Sequence, residues 1–208
     1  MNRLAASIRN DILLQHRNQL YAISVAVGVL VAGLVAGLAS PPTLARALIV
    51  TILLFAGGST LLYVVAMIQL EKGDRTLTAL TVTPLRPAEY LVAKTLTLSA
   101  LGTLEAMIMT VGAGVWLGVE LPAPGRLSFV FGTFSLGAIQ VLIGVIIAVR
   151  YDHITDALVP MGGVGALLQL PALHFAGALD APWLLWLPSG PRPSSFRAPS
   201  SPSPFRNG

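Results

Sequence analysis

The sequence predicts an all-α fold, a polytopic membrane helix bundle, and three observations lead to this prediction. Hydrophobic residues make up 54% of the chain and charged residues only 11%, whereas a soluble domain usually carries about 25% charged residues. The apolar residues form long blocks instead of following the spacing of a soluble core. Five of these blocks are long enough to cross a bilayer, which takes about 20 residues in a helix.

The N-terminal segment, residues 1–19, predicts an amphipathic helix. Leu4, Ile8 and Ile12 recur every four residues and share one helix face, while Arg3, Asn10 and Arg17 point elsewhere. Such a helix lies in the membrane interface, ahead of the first span. A disordered basic leader is the alternative, because the pattern is short.

The five apolar blocks predict the membrane spans. Their approximate bounds are 20–38, 47–70, 95–119, 127–149 and 157–176. The first block is longer than the core of a secretory signal, which is typically about 7–15 residues, and Asp11 precedes it. We therefore expect it to remain in the protein as a membrane helix. The fifth block is the weakest, since it contains Pro160 and Pro171.

The distribution of Lys and Arg predicts the orientation, because these residues collect in loops on the cytoplasmic side. With the N-terminus inside, eight lie in cytoplasmic segments, and two, Arg46 and Arg126, lie in the outer loops before the tail. The eight are Arg3, Arg9, Arg17, Lys72, Arg75, Arg86, Lys94 and Arg150. We therefore expect a multi-pass protein of the cell membrane with a cytoplasmic N-terminus. The net charge of +4 reflects this topology, and no nucleic-acid partner is expected, since aromatic residues do not alternate with the basic ones.

The segment between the second and third blocks, residues 71–94, reads EKGDRTLTALTVTPLRPAEYLVAK. Pro84 interrupts a helix, because the residue before a proline avoids the helical region. Pro87 suits the first turn of a new helix, where Glu89 complements the helix dipole. We expect a separate short helix over about Arg86–Ala93 on the cytoplasmic face. Leu85 and Tyr90 would be exposed on it and fit a groove on a partner.

The order of residues in this segment resembles that in the membrane (permease) subunits of type-2 ABC transporters, including drug exporters. Two positions depart mildly from the family pattern, Thr78 where a Glu is common and Ala93 where a Gly is common. The matching residues are Glu71, Gly73, Thr76, Leu77, Pro84, Leu85, Pro87, Glu89, Tyr90 and Lys94. The resemblance covers about residues 1–187.

This resemblance implies that the short helix is a coupling helix that docks on a separate cytoplasmic ATPase subunit. The partners would be that ATPase and a second permease copy or a sister permease, and the substrate a hydrophobic small molecule or drug. ATP and Mg²⁺ would be bound by the ATPase. The chain itself has no phosphate-loop motif, so it is expected to be neither an enzyme nor a cofactor-binding protein. Its three histidines lack paired metal-ligand spacing, and the absence of cysteine excludes disulfides and cysteine-based metal sites.

Glu105 lies well inside the third block, where a carboxylate costs of order 3 kcal/mol to insert. We expect it to face the bundle interior and to line a translocation path with Gln140. Candidate hydrogen-bond partners are Thr103, Gln140 and Gln169. An alternative function follows from the same residue, namely a secondary transporter or channel that uses Glu105 as a proton or cation site. The structural alternative is a packing residue.

The C-terminal residues, 188–208, are rich in Pro and Ser and predict a disordered tail. Permeases of the resembled family usually have six spans, and five are predicted here. We hypothesise that the tail replaces a lost sixth span. This raises a further alternative, a truncated and inactive membrane subunit that assembles without transporting.

Overall fold

A computed structural model describes residues 3–40, 42–74, 86–118 and 123–177. The described residues are helical throughout apart from short turns, which confirms the all-α fold. The elements are α1 (Arg3–Arg17), α2 (Leu20–Leu38), α3 (Leu44–Thr51), a π-helical segment (Ile52–Ala56), α4 (Gly57–Gly73), α5 (Pro87–Leu117), α6 (Ala123–Arg150) and α7 (Ile154–Phe175). The π-helical segment joins α3 to α4, so that Leu44–Gly73 is one uninterrupted rod.

Among the described residues, five stretches are long and apolar enough to cross a membrane, judged by length and composition. They are Leu20–Leu38, Leu44–Gly73, Pro87–Leu117, Leu127–Arg150 and Ile154–His174. The predicted bundle of five spans is therefore confirmed. The second and third spans are longer than the apolar blocks that predicted them, because their helices continue through flanking polar residues.

The bundle has two ends, which we name by their position relative to α1. At the α1 end, Lys72 near the end of α4 donates hydrogen bonds to the backbone oxygens of Tyr151, at 2.7 Å, and Val149, at 3.4 Å. The Val149 oxygen belongs to the last turn of α6, and the Tyr151 oxygen to the turn between α6 and α7. The opposite end carries the turn between α2 and α3 and the end of α5.

The first helix, α1, packs on the bundle with a polar face. Asp11 and Gln15 are its buried residues, with 2% and 0% of their surface exposed. Ile12 and Leu13 are exposed, as suits a helix whose apolar residues meet the membrane interface. Leu4 and Ile8 are half-buried and only Ile12 of the predicted stripe is exposed, so the stripe borders the contact face. Gln19, with φ 56°, forms the corner that leads into α2.

The separate short helix predicted over Arg86–Ala93 is wrong, because these residues begin a much longer helix. The predicted start is correct, since Pro87 occupies the first turn and the Glu89 carboxylate accepts a hydrogen bond from the Arg86 backbone N–H at 2.9 Å. The helix then continues without a break to Leu117. Thr76, Leu77, Pro84, Leu85 and the tail 188–208 lie outside the described residues.

Glycines bring α2, α4, α5 and α6 close together. A Cβ at Gly28 of α2 would lie 2.9 Å from Ile108 Cγ2 of α5, and one at Gly137 of α6 would lie 3.2 Å from Ser99 Cα of α5. A Cβ at Gly102 would collide with Thr60 Oγ1 of α4. Small residues allow such close approach between membrane helices, and here they bring short polar side chains of neighbouring helices within reach of each other.

Candidate functional site

Four side chains form a buried ion cluster at the α1 end: Asp11 of α1, Glu71 of α4, and Tyr90 and Lys94 of α5. The Lys94 ammonium lies 2.6 Å from Glu71 Oε1 and 3.4 Å from Asp11 Oδ1. The Tyr90 hydroxyl donates to Glu71 Oε2, and the Tyr90 ring centroid lies 5.0 Å from Lys94 Nζ. Lys94 is only 1% exposed and Glu71 only 6%, so the pair is removed from solvent.

The surroundings of Asp11 act on its charge. Burial raises the pKa of the Asp11 carboxyl, and the Glu71 carboxylate adds to this rise, while the Lys94 ammonium acts in the opposite direction. A neutral Asp11 leaves one carboxylate facing one ammonium. Asp11 Oδ2 and both polar atoms of the Gln15 amide have no hydrogen-bond partner among the described residues. The cluster is therefore held mainly by the Glu71–Lys94 pair.

The ion cluster joins the residues that flank the charged segment after α4. Glu71 lies just before residues 75–85, and Tyr90 and Lys94 lie just after them. The two ends of the segment are thus fixed to each other by a short ion pair, and Asp11 fixes α1 to the same point. Gln69 joins α4 to the turn between α6 and α7, because its side-chain amide donates a hydrogen bond to the Tyr151 backbone oxygen at 2.8 Å.

A second polar cluster, the hydroxyl cluster, surrounds Glu105 in the middle of α5. Ser59 Oγ lies 2.9 Å from both oxygens of the carboxylate. The Tyr63 hydroxyl donates to Glu105 Oε2 at 3.2 Å, and Ser24 Oγ donates to the same oxygen at 3.4 Å. Glu105 has no exposed surface. Hydroxyls from α2 and α4 therefore satisfy a carboxylate that would otherwise be costly in the membrane.

Comparison with known protein families assigns the chain. A sequence model of the fluoroquinolones export permease protein family matches residues 2–193. The chain belongs to this family. It has no match among curated proteins or solved structures. The family and the five apolar helices together make it a multi-pass membrane export permease.

The residues predicted to couple this export permease to an ATPase lie at several positions in the structure. Glu71, Tyr90 and Lys94 meet in the ion cluster, and Gly73 ends α4 with an exposed position. Pro87 and Glu89 begin α5, as described above. Tyr90 is not the exposed anchor that the sequence suggested, because it is half-buried and its hydroxyl is engaged by Glu71.

The predicted partners of Glu105 are wrong. Thr103 donates to the Ser99 backbone oxygen of its own helix at 2.7 Å, and Gln169 of α7 donates to the Leu54 backbone oxygen in the π-helical segment at 3.1 Å. The Gln140 amide lies against Gly57, where a Cβ would collide with it. The export permease therefore places Gln140 and Gln169 at the π-helical segment and not at Glu105.

Four residues of the two clusters were not identified from the sequence: Asp11, Ser24, Ser59 and Tyr63. Asp11 and Gln15 carried a usable signal, since they share the i, i+4 spacing of one helix face. Ser59 and Tyr63 have the same spacing on an otherwise apolar helix. Neither pattern shows which residue of another helix contacts this polar face.

Proposed function

We propose that the chain is the membrane subunit of an ATP-driven, type-2 ABC exporter located in the cell membrane. A separate cytoplasmic ATPase, which binds ATP and Mg²⁺, would dock on residues 75–85 and their flanks. A second permease copy or a sister permease would complete the translocation path. The substrate would be a fluoroquinolone or a similar drug, the class named in the family description.

One observation carries this proposal: Glu71 and Lys94 are joined at 2.6 Å across the segment that would bind the ATPase. A loop with free ends would absorb the displacement of a docked partner. A loop with joined and buried ends passes the displacement to both helices. The sequence resemblance places the coupling element in this same segment, so the ion cluster supplies the rigid base that such an element needs.

The helix α5 provides the route from this base into the membrane. Lys94 and Glu105 are 11 residues apart on one uninterrupted helix, which corresponds to about 16 Å along its axis. Eleven residues are close to three full turns, so both side chains lie on the same face of α5. A tilt of α5 at the ion cluster would therefore move Glu105 relative to Ser24 and Ser59, and change the path at mid-membrane.

The test is co-purification of the detergent-solubilised chain with proteins encoded beside it. The variant Pro84→Ala/Leu85→Ala changes the proposed docking segment. Tyr90 is left intact, because its hydroxyl binds Glu71 and its loss would disturb the fold. The matched control is Asp152→Ala/His153→Ala, since both residues are exposed at the same end of the bundle, in the turn between α6 and α7.

We expect the wild type and the control to recover an ATPase, and the docking variant to recover at least about tenfold less, which corresponds to about 1.4 kcal/mol of binding free energy. Recovery of no ATPase by correctly inserted wild-type protein would contradict the proposal. Equal recovery by all three proteins would move the docking surface away from this segment.

A second candidate function, a secondary transporter or channel, is favoured by the three hydroxyls around Glu105. In this alternative a proton or cation at Glu105 drives transport without an ATPase. Vesicles that contain the chain alone and an imposed proton gradient distinguish the two functions. Fluoroquinolone uptake that is lost in Glu105→Gln and kept in Thr110→Val, a buried polar control on the same helix, would favour the alternative. The ATP-driven exporter predicts no uptake in this experiment.

A third candidate, an inactive subunit that only assembles, gives a different result. It predicts full recovery of the ATPase and no ATP-dependent transport when both proteins are present in vesicles. Transport of a fluoroquinolone under these conditions would exclude it.

A further inference from the structure

A pocket opens between α2, α3 and the π-helical segment at the end of the bundle opposite α1. Its volume is about 490 Å³, within the range of about 300–1,000 Å³ that is typical of small-molecule sites. The wall is predominantly apolar. Val35 and Leu38 of α2, Val50 of α3 and Phe55 of the π-helical segment form much of it, and Arg46 of α3 also lines it.

Among the described residues, Arg46 is the only charged one that lines this pocket. No described residue forms an ion pair with it. The described carboxylates lie at the α1 end, apart from Glu105 in the middle of α5. An exposed guanidinium thus borders a largely apolar cavity, with its charge uncompensated by the described part of the chain. This arrangement is complementary to an apolar molecule that carries one anionic group.

The wall also offers an aromatic surface. Phe55 lines the pocket and is 45% exposed. It belongs to the π-helical segment Ile52–Ala56, and π-helical turns inside α-helices are frequent at functional sites. A planar ring bound between Phe55 and the aliphatic wall would gain both apolar burial and a favourable ring contact.

We propose that this pocket binds the aromatic carboxylate of a fluoroquinolone, with the carboxylate on the Arg46 guanidinium and the fused rings against Phe55. The proposal rests on the substrate class of the proposed function. The guanidinium is planar and can donate two parallel hydrogen bonds to a carboxylate. Arg46 would therefore select for the acid group, while Phe55 would bind the ring whatever group it carries.

The test is equilibrium binding to the purified chain in lipid nanodiscs, followed by the fluorescence of the drug. Two ligands are compared, a fluoroquinolone and its methyl ester, which lacks the anionic group. Arg46→Gln removes the charge from the pocket. Arg150→Gln is the matched control, because Arg150 is also exposed but lies at the α1 end. Phe55→Ala tests the ring surface.

We expect Arg46→Gln to weaken binding of the acid about tenfold and to leave binding of the ester unchanged. The wild type should bind the ester about as weakly as Arg46→Gln binds the acid. Arg150→Gln should match the wild type with both ligands, and Phe55→Ala should weaken both. This pattern separates a carboxylate site from a general loss of folded protein, since misfolding would weaken the ester as well.

Three results would overturn the proposal. In the first, Arg46→Gln and Arg150→Gln behave alike. In the second, Arg46→Gln weakens the acid and the ester equally. In the third, the wild type binds neither ligand. The pocket would be a lipid site if the chain retains an anionic phospholipid in a manner that depends on Arg46 and shows no preference for the drug acid over its ester.

Failure of this proposal is distinguishable from failure of the proposed function. If drug binding depends on Arg46 in a chain that recovers no ATPase, the proposed ATPase docking is contradicted and the drug site at Arg46 is supported. ATP-dependent transport that is insensitive to Arg46→Gln, together with equal binding by all arginine variants, would overturn the pocket alone.

Discussion

At the scale of single residues, Lys94 is the most constrained side chain of the ion cluster. Its ammonium faces Glu71 at 2.6 Å and Asp11 at 3.4 Å, and it is 1% exposed. Lys94→Met would remove the ammonium that faces the buried Glu71 carboxylate at 2.6 Å. We expect a loss of about 3–5 kcal/mol of unfolding free energy, the usual cost of breaking a buried ion pair on one side. Unfolding in mixed detergent micelles, followed by circular dichroism, measures this loss.

The control for Lys94→Met is the double variant Glu71→Gln/Lys94→Met. It removes both charges, and burial of the neutral pair carries no unpaired ion. We expect the double variant to be more stable than the single one. A single variant as stable as the wild type would show that the ion cluster does not hold α4 and α5 together.

Asp11 gives the fold a pH dependence whose sign can be worked out. Burial raises the pKa of its carboxyl in the folded state, above an ordinary value of about 3.9. Between these two values the folded state binds more protons than the unfolded state, so stability falls as pH rises through the folded pKa. Asn cannot ionise, and its oxygen can still accept a hydrogen bond from Lys94. Asp11→Asn should therefore lose less stability with rising pH.

The measurement for Asp11 is the melting temperature of both proteins in detergent over a pH series from about 4, near the ordinary pKa of Asp, to pH 8. The difference between Asp11→Asn and the wild type isolates this one carboxyl from other titrating groups. We expect Asp11→Asn to gain relative to the wild type at pH 8. Parallel behaviour of the two proteins over this range would mean that Asp11 stays ionised in its buried position.

At the scale of elements, the start of α5 shows what a local sequence pattern can and cannot predict. Pro87 and Glu89 predicted the first turn correctly, because capping depends on neighbours within the same turn. Lys94 led to an incorrect boundary, since a lysine beside an apolar block resembles the edge of a membrane span. Lys94 contacts Glu71 and Asp11, which are 23 and 83 positions away in the sequence. A local sequence pattern does not include such distant residues, so it could not predict that α5 continues past Lys94.

The same limit applies to the hydroxyl cluster around Glu105. Its burial followed from the sequence, because a carboxylate deep in an apolar block must turn inward. Its partners did not follow, since they lie on α2 and α4. Short hydroxyl side chains reach Glu105 only where helices approach closely, and Gly28 of α2 packs beside Ile108 and the Glu105 backbone oxygen. The packing geometry selects the partners, and residue type alone does not.

The close packing of α2 on α5 leads to a prediction about two glycines of the same helix. A Cβ at Gly28 would lie 2.9 Å from Ile108 Cγ2 and 3.1 Å from Ile108 Cβ, whereas one at Gly37 has no neighbour within 4 Å. Gly28→Ala should therefore cost about 1–3 kcal/mol through overpacking. Gly37→Ala should stabilise the helix by up to about 1 kcal/mol. Thermal unfolding in detergent compares the two, and equal stability would show that α2 and α5 separate easily.

At the scale of the whole molecule, α4 and α5 connect two polar levels. The ion cluster lies at the α1 end and the hydroxyl cluster at mid-membrane. Between them, Met67 and Ile68 of α4 belong to the same hydrophobic core as Leu98 and Leu101 of α5, and each is at most 1% exposed. Close-packed side chains of this kind transmit a displacement instead of absorbing it. The packing therefore favours coupling by movement of whole helices.

The orientation of the bundle is the last prediction, and the proposed coupling depends on it. The chain contains no cysteine, so single cysteines can be introduced and labelled without any other change. Ser40→Cys places a thiol in the α2–α3 turn, and Asp152→Cys places one in the α6–α7 turn. Both positions are exposed, at opposite ends of the bundle. Because Lys and Arg concentrate at the α1 end, this end should face the cytoplasm.

A membrane-impermeant maleimide applied to intact cells should therefore label Ser40→Cys at once. Asp152→Cys should react only after the membrane is permeabilised. The reverse pattern would place residues 75–85 outside the cell, where no cytoplasmic ATPase can reach them, and the ATP-driven function would fail with the orientation. The Arg46 pocket would then open toward the cytoplasm, so the same labelling experiment decides on which side of the membrane a bound drug would meet the protein.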